Sequence, residues 1–355
     1  MNVIEAKTKQ DKKRYIKFIY ELYKNDEHFS DINIILIKNF LYKKDDYAKR
    51  ANVVPIMIED NEVKLACIFI STNDSKELKM SFLEFMPNSQ KYIKEAIKYG
   101  KNLMKKLQLN KMIIGINGQI SYGLGILVHG YNNDLEFNSN YNPEYYVEEL
   151  DEIINIKKRA FSYIYDAENS VSLFDKKMLE NIYSNYTFRY MNKRKFKNEM
   201  LKFGELCDKT LKGTPYYSTK TPNEMYQLMK QMKFLIKNED IIFVLKDGRE
   251  VGFIFTHPDY AEFFDRPKIN YIKLFFRLLK SKPKNLIYNV IGVLPEYQRS
   301  GLAIGLIDYS IKMRKEKFPR GVSSFILEDN TESNNLCKKI AIGVNKEYRL
   351  YEIEE

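Results

Sequence analysis

One cycle of hydrophobic periodicities runs along the chain and then repeats, and this duplication constrains the fold more than any single motif. In the first half "NVIEA" alternates as a short strand, and "KKRYIKFIYELYKN" sets Ile16, Ile19 or Tyr20, and Tyr23 on one helical face. An irregular helical stretch crosses 32–50, "VVPIMIED" and "KLACIFISTN" form a hairpin, and "KMSFLEFMP" is a third strand. The helix at "SQKYIKEAIKYGKNLMKKLQL" buries a stripe of Ile93, Ile97, Gly100, Met104 and Leu107. "KMIIGI" is a strand, "NPEYYVEELDE" opens a helix with Pro143 in its first turn, and "RAFSYIYDA" closes the half as a strand. The second half follows the same order: extended "YTFRYM", helices at "KRKFKNEMLKFGELCDKTL" and "TPNEMYQLMKQMKFLI", and a hairpin turning at Asp247-Gly248. Then come the strand "NLIYNVIGVLP", a helix at 300–317, the strand "SSFILEDN", the helix "ESNNLCKKI" and the strand "KEYRLYEIE". Two α/β domains are expected, 1–168 and 185–355, with "DAENSVSLFDKKMLENIYSN" spanning the boundary. A chain of 355 residues also exceeds what one core usually serves.

Apolar runs such as "IIFVL" fall far short of the roughly 18 to 20 residues a bilayer crossing needs. The charged N-terminus lacks the apolar core of a signal peptide, so a cytoplasmic location with no membrane partner is expected. Cys67, Cys207 and Cys337 are odd in number and widely spaced, matching neither a disulfide framework nor a zinc site, and are expected as reduced thiols. The formal charge of +11 could attract phosphate, but the lysines are spread along the whole chain on outer helical faces. A solvated basic surface is the simpler reading, and a nucleic-acid partner is not expected. His28, His129 and His257 show no partner pattern.

The segment that carries chemistry is "VIGVLPEYQRSGLAIGLIDYSI", residues 290–311. Pro295 stops strand pairing, Gly301 stands where loop meets helix, and Ala303 keeps the first helical turn narrow. N–H groups at a helix N-terminus form an anion concavity reinforced by the helix dipole, so the loop is shaped for a phosphate or pyrophosphate. An ordinary strand-to-helix turn also carries glycine, so Gly-x-Ala alone does not decide.

The full pattern resembles the GCN5-related N-acetyltransferases, whose signature is Gln/Arg-x-x-Gly-x-Gly/Ala after a Val-x-Pro strand end. Val293-Leu294-Pro295 and Gln298-Arg299-Ser300-Gly301-Leu302-Ala303 fit every defined position. "FILEDNTESNNLCKKIAIG" is similar to that family's next block: Asn330, Ser333, Leu336 and Lys339 match, whereas Cys337 replaces a tyrosine that often protonates the departing thiolate, and Ala341-Ile342 replaces Gly-Phe. The resemblance covers nearly the whole chain and extends to bacterial tandem proteins of unassigned substrate. It implies α/β architecture of the α+β kind: two tandem domains, each with a mixed, mostly antiparallel central sheet flanked by helices. The first half resembles a degenerate copy, because "MSFLEFMPN" runs straight into "SQKYIKEA" without the glycine loop.

What the resemblance implies is an N-acetyltransferase with acetyl-coenzyme A as cosubstrate and no metal. The coenzyme would lie along Ile291, Gly292 and Val293, on the loop Gln298, Arg299, Ser300, Gly301, Leu302 and Ala303, and beside Asn330 and Asn334. The acceptor is expected to be a small-molecule or peptide amine, which attacks directly once neutral. If "ILEDN" is one strand, period 2 puts Ile326, Glu328 and Asn330 on a common face, making Glu328 the candidate general base; a carboxylate paired with a lysine is the plainer alternative. Tyr288 and Tyr351 are alternative acids. Competing functions are aminoacyl transfer from tRNA, as in the peptidoglycan-bridging transferases, and a coenzyme-binding regulator without turnover.

Overall fold

A computed structural model describes residues 1–133, 136, 137 and 139–354. Two compact units make up the chain: Met1–Phe161 with Ala261–Ser281 and the final strand from Lys346, and Ser162–Tyr260 with Lys282–Asn345. The segment 261–281 and the last strand lie with the N-terminal unit, because strand pairing and packing outweigh proximity in sequence.

In the first unit β1 (Asn2–Glu5), α1 (Lys9–Leu22), α2 (Ile34–Leu41) and α3 (Asp46–Arg50) precede β2 (Asn52–Asp60), β3 (Glu62–Ser71) and β4 (Glu77–Phe85). Next come α4 (Gln90–Leu107), β5 (Lys111–Ile114), β6 (Ile126–His129) and α5 (Tyr145–Asp151). From β7 (Ile156–Asp166) the chain continues with α6 (Ala167–Ser172), α7 (Lys176–Asn185), β8 (Thr187–Tyr190), α8 (Phe196–Leu211) and α9 (Pro222–Lys230). Then follow β9 (Ile241–Lys246), β10 (Arg249–Pro258), α10 (Tyr271–Lys280), β11 (Asn285–Val293), α11 (Leu302–Arg314), β12 (Arg320–Ser323), β13 (Ile326–Leu327), α12 (Thr331–Ile340) and β14 (Gly343–Glu354).

Both units build the same sheet. In the first, β1-β2-β3-β4 is antiparallel, β4 and β5 run parallel, and residues 351–354 of β14 pair antiparallel with β5 from Tyr351↔Ile114 to Glu354↔Lys111. In the second, β8-β9-β10-β11 is antiparallel, β11 and β12 run parallel, and β12 pairs antiparallel with the end of β7. The local signals explain the elements. Thr8 with Asp11 and Thr221 with Glu224 form capping boxes for α1 and α9, and the latter helix has Pro222 in its first turn. Asp247 and Gly248 take φ of 50° and 78°, the positive values a two-residue hairpin turn needs. The N-terminal core lies between the sheet and α4, where Phe69, Met80, Phe85, Ile93, Met104 and Met112 are buried.

Two stretches to which the sequence assigned no element hold helices, and one expected strand is broken. The boundary stretch contains the helix α7, whose Leu179 and Ile182 are buried. Residues 261–281, for which the sequence suggested nothing, contain α10. "SSFILEDN" is not one strand: β12 ends at Ser323, β13 is two residues long, and 328–329 form a turn. The strand breaks because Asn334 of α12 draws the carbonyls of Leu327 and Asn330 onto its amide at 2.7 and 2.9 Å, while the Asn330 N–H closes a turn on Leu327.

Candidate functional site

In each unit the single parallel step is short, and the two strands part beyond it. β4 and β5 are in register through Met80↔Ile114, β11 and β12 through Tyr288↔Ser323. What lies past these points differs between the units.

In the C-terminal unit β11 carries an extra residue at Asn289, since Phe255 pairs with Val290 and Thr256 with Tyr288. Beyond the bulge, the Leu294 N–H donates to the Val251 carbonyl, so the amide groups of alternate residues 292 and 290 face β10. Ile291 and Val293 therefore turn their N–H and C=O toward the edge that β12 has left. Gly292 is a structural glycine: a Cβ there would lie 2.4 Å from Thr210 Oγ1 of α8 and 2.6 Å from the Phe253 ring.

The chain then passes Pro295 and enters α11. Gly301 caps the helix at φ 82°, ψ 0°, and no side chain caps it. The N–H groups of Leu302, Ala303 and Ile304 have no partner within the helix, as in any first turn, and the positive helix end stands behind them. Gln298 Nε2 donates to the Val293 carbonyl at 3.3 Å, and Ser300 Oγ donates to the Tyr297 carbonyl at 2.6 Å, so both side chains brace the loop. Arg299 is exposed and lies 3.7 Å from Glu332. A Cβ on Gly301 would meet Met178 Sδ of α7 at 2.8 Å rather than project into open space. The helix is anchored below: Tyr183 donates to Asp308, and Arg314 pairs with Asp240 at 2.9 Å and donates to Thr256 Oγ1 at 2.8 Å. Burial pushes the Asp240 carboxyl up to about 6 despite that cation.

The equivalent helix start in the N-terminal unit is already filled. The carboxylate of Glu149, on α5, accepts the N–H groups of Asn88 and Ser89 at 2.7 and 2.6 Å ahead of α4. The gap past β4 is bridged as well: Ser81 Oγ donates to the Ile116 carbonyl and accepts from the Gly118 N–H, and Asn117 Oδ1 accepts from the Phe82 N–H at 2.8 Å. An anion would have to displace an internal carboxylate there. Among the described residues none is in place at α11.

The other sequence candidates fall in different places. Glu328 sits exposed in the turn, so the strand face that would align it with Asn330 does not exist. Asn330 caps α12 by accepting from the Ser333 N–H at 3.1 Å. Asn334 is buried; beyond its bonds to the loop carbonyls, its Oδ1 accepts from the Tyr163 hydroxyl at 2.8 Å. Both asparagines thus shape the turn. Tyr351 lies in the core of the N-terminal unit and donates to Asp151 at 2.9 Å. Cys337 is half-buried; burial raises its thiol, and a hydrogen bond from Tyr165 works against that rise. Burial also raises the phenols of Tyr165 and Tyr288, whose rings meet edge-on at 6.1 Å. His28 and His129 are exposed, and His257 is buried and held neutral. Sequence reasoning missed Tyr165, Met178 and Glu149. The Met178 and Ile182 spacing was a readable helical signal, whereas the Glu149 contact spans 60 residues of sequence.

Among the described residues no group of three His, Cys, Asp or Glu side chains is placed to hold a metal ion, and no helix is long and apolar enough to cross a membrane. No family model matches the chain. Protein YghO of Escherichia coli (strain K12) is 26% identical over 187 residues, half of this chain and 48% of that protein, so the match spans about half the length of the curated relative. A tandem GNAT protein from the clavulanic acid biosynthesis pathway superposes over 99% of this chain and 98% of its own, with TM-score 0.54 and 9% identity. A GCN5-related N-acetyltransferase from Sphaerobacter thermophilus does so over 99% and 95%, with TM-score 0.52 and 10% identity. A probable N-acyltransferase from Enterococcus faecalis V583 gives TM-score 0.54 at 9% identity over 99% and 72%. With the same strand pairing in each unit, one short parallel step in each beyond which the strands part, and similarity across the whole length, the chain has the tandem fold of the GCN5-related N-acetyltransferases.

Proposed function

We propose that the C-terminal unit is an N-acyltransferase that uses acetyl-coenzyme A and passes the acyl group to an amine. The observation that carries this reading is the contrast between two equivalent helix starts, one occupied by Glu149 and one with its first-turn N–H groups unclaimed. The residues present fit the cosubstrate. Leu302, Ala303 and Ile304 would offer N–H groups to the pyrophosphate, with the Arg299 cation exposed beside them. The main chain of Ile291 and Val293 would pair with the pantetheine amides as an added strand. When bound, acetyl-coenzyme A supplies an activated thioester. The Val293 edge would orient that carbonyl and offer it a hydrogen-bond donor.

Neither the exposed Glu328 nor the structural asparagines provide a buried base, so the acceptor would lose its proton to solvent before attack. Calorimetry with coenzyme A on the full chain tests the reading: one site per chain is expected, and free-thiol release should follow on adding amines with acetyl-coenzyme A. Two comparable sites, or none, would overturn it.

A further inference from the structure

The N-terminal unit contains a small cavity, ≈ 70 Å³ in volume and open at one side. Its wall mixes apolar side chains, among them Ile19, Phe29, Ile37 and Phe82, with polar ones such as Asn33 and Asn140. Two carboxylate residues line it, Glu84 and Glu136, and only Glu136 is paired with a cation among the described residues. Glu84, near the end of β4, accepts the hydroxyls of Tyr23 and Tyr146 at 2.6 and 2.7 Å, and both bonds fall on Oε2. Tyr23 is held in turn by stacking on Phe29, ring centroids 4.1 Å apart. The carboxylate is thereby fixed in orientation while Oε1 receives no hydrogen bond from the described residues.

The other charged groups lining the cavity are engaged. Glu136 pairs with Lys346, and Arg266 donates to the Glu27 carbonyl at 2.8 Å. Burial lifts the Glu84 carboxyl to about 7, the mark of an anion without a countercharge. A cation at Oε1 would remove that cost, and an apolar body would cover the surrounding wall. We propose that this cavity binds a primary amine carried on an apolar body, with the ammonium at Glu84 Oε1. The inference stands apart from the coenzyme site and would survive its failure.

Titration calorimetry on the full chain, with hexylamine and phenethylamine against their neutral counterparts hexan-1-ol and 2-phenylethanol, tests it. Saturable binding of one amine per chain is expected, with the alcohols at least tenfold weaker. Glu84→Gln keeps the size and the tyrosine hydrogen bonds, and should weaken amine binding at least tenfold while leaving coenzyme A affinity and circular dichroism unchanged. Ile32→Trp, which enlarges a half-buried side chain lining the cavity, should weaken amines and alcohols alike and decides the matter if Glu84→Gln does not fold. Equal affinity for amine and alcohol, an unaffected Glu84→Gln, amine binding indifferent to Ile32→Trp, or uptake without saturation would each overturn the proposal.

Discussion

Replacing Gly301 by alanine tests how the loop before α11 is held. The residue sits at φ 82°, where an L side chain costs about 1–2 kcal/mol. Its Cβ would stand 2.8 Å from Met178 Sδ, nearer than real Cβ contacts come, and 3.2 Å from Met178 Cγ, a tight contact. A thioether can swing aside, at an off-rotamer cost of about 0.5–1.5 kcal/mol. Alanine also stiffens the unfolded chain, which returns about 0.4–1 kcal/mol. The net loss is about 2 kcal/mol, to be read from urea unfolding of Gly301→Ala. Removing the obstacle with Met178→Ala should recover about 0.5–1 kcal/mol in a double-mutant cycle, because only the contact, not the dihedral, is relieved. If the variant relaxes out of the left-handed region, the N–H groups of Leu302 and Ala303 swing with it. Charge-assisted hydrogen bonds worth about 1.5–3 kcal/mol each would then be lost, and coenzyme A should bind tenfold or more weakly. A Gly301→Ala protein within about 0.5 kcal/mol of wild type, with unchanged coenzyme affinity, would refute the reasoning.

Two further outcomes are expected. Burial pushes the His257 imidazole from 6.5 down to about 4, so its contribution to stability is complete above pH 6.5 and is lost as pH falls toward 4. Relative to wild type, His257→Gln should gain about 2.5 kcal/mol between pH 7.5 and pH 4.5 in urea titrations, and parallel pH curves would contradict this. Cys337→Ala should keep most of any transferase activity, because the half-buried thiol lies beside Tyr165 and is shorter than a tyrosine at that position would be. A drop of about 100-fold in kcat with coenzyme binding retained would assign it the acid's role.

Much of this architecture was legible because its signals are local. Thr221-Pro222-Asn223-Glu224 declares a helix start, Asp247-Gly248 declares a hairpin, and the glycine of Gln298-Arg299-Ser300-Gly301 declares a turn with a bare helix end. The parts that escaped depend on partners distant in sequence. Glu149 looks like one more acid on an exposed helix until the fold sets it under Asn88 and Ser89. Glu328 failed for the opposite reason: alternation along "ILEDN" is a real pattern, but Asn334 and the Asn330 cap outcompete the ladder and turn the chain. Tyr165 could not be matched to Cys337 from spacing, since nothing in either segment specifies that the two face each other.

The assignment of β14 to the N-terminal unit has a consequence for biosynthesis. β5 emerges from the ribosome about 240 residues before the strand that pairs with it, since Ile114 waits for Tyr351. At typical translation speeds the wait lasts roughly 10 to 50 s. Throughout it, the unit made first has an apolar edge with unsatisfied main-chain groups, the kind of edge that recruits foreign strands. The half synthesised earliest is thus the last to be closed, and the nascent chain is most vulnerable to aggregation just before its final strand is made.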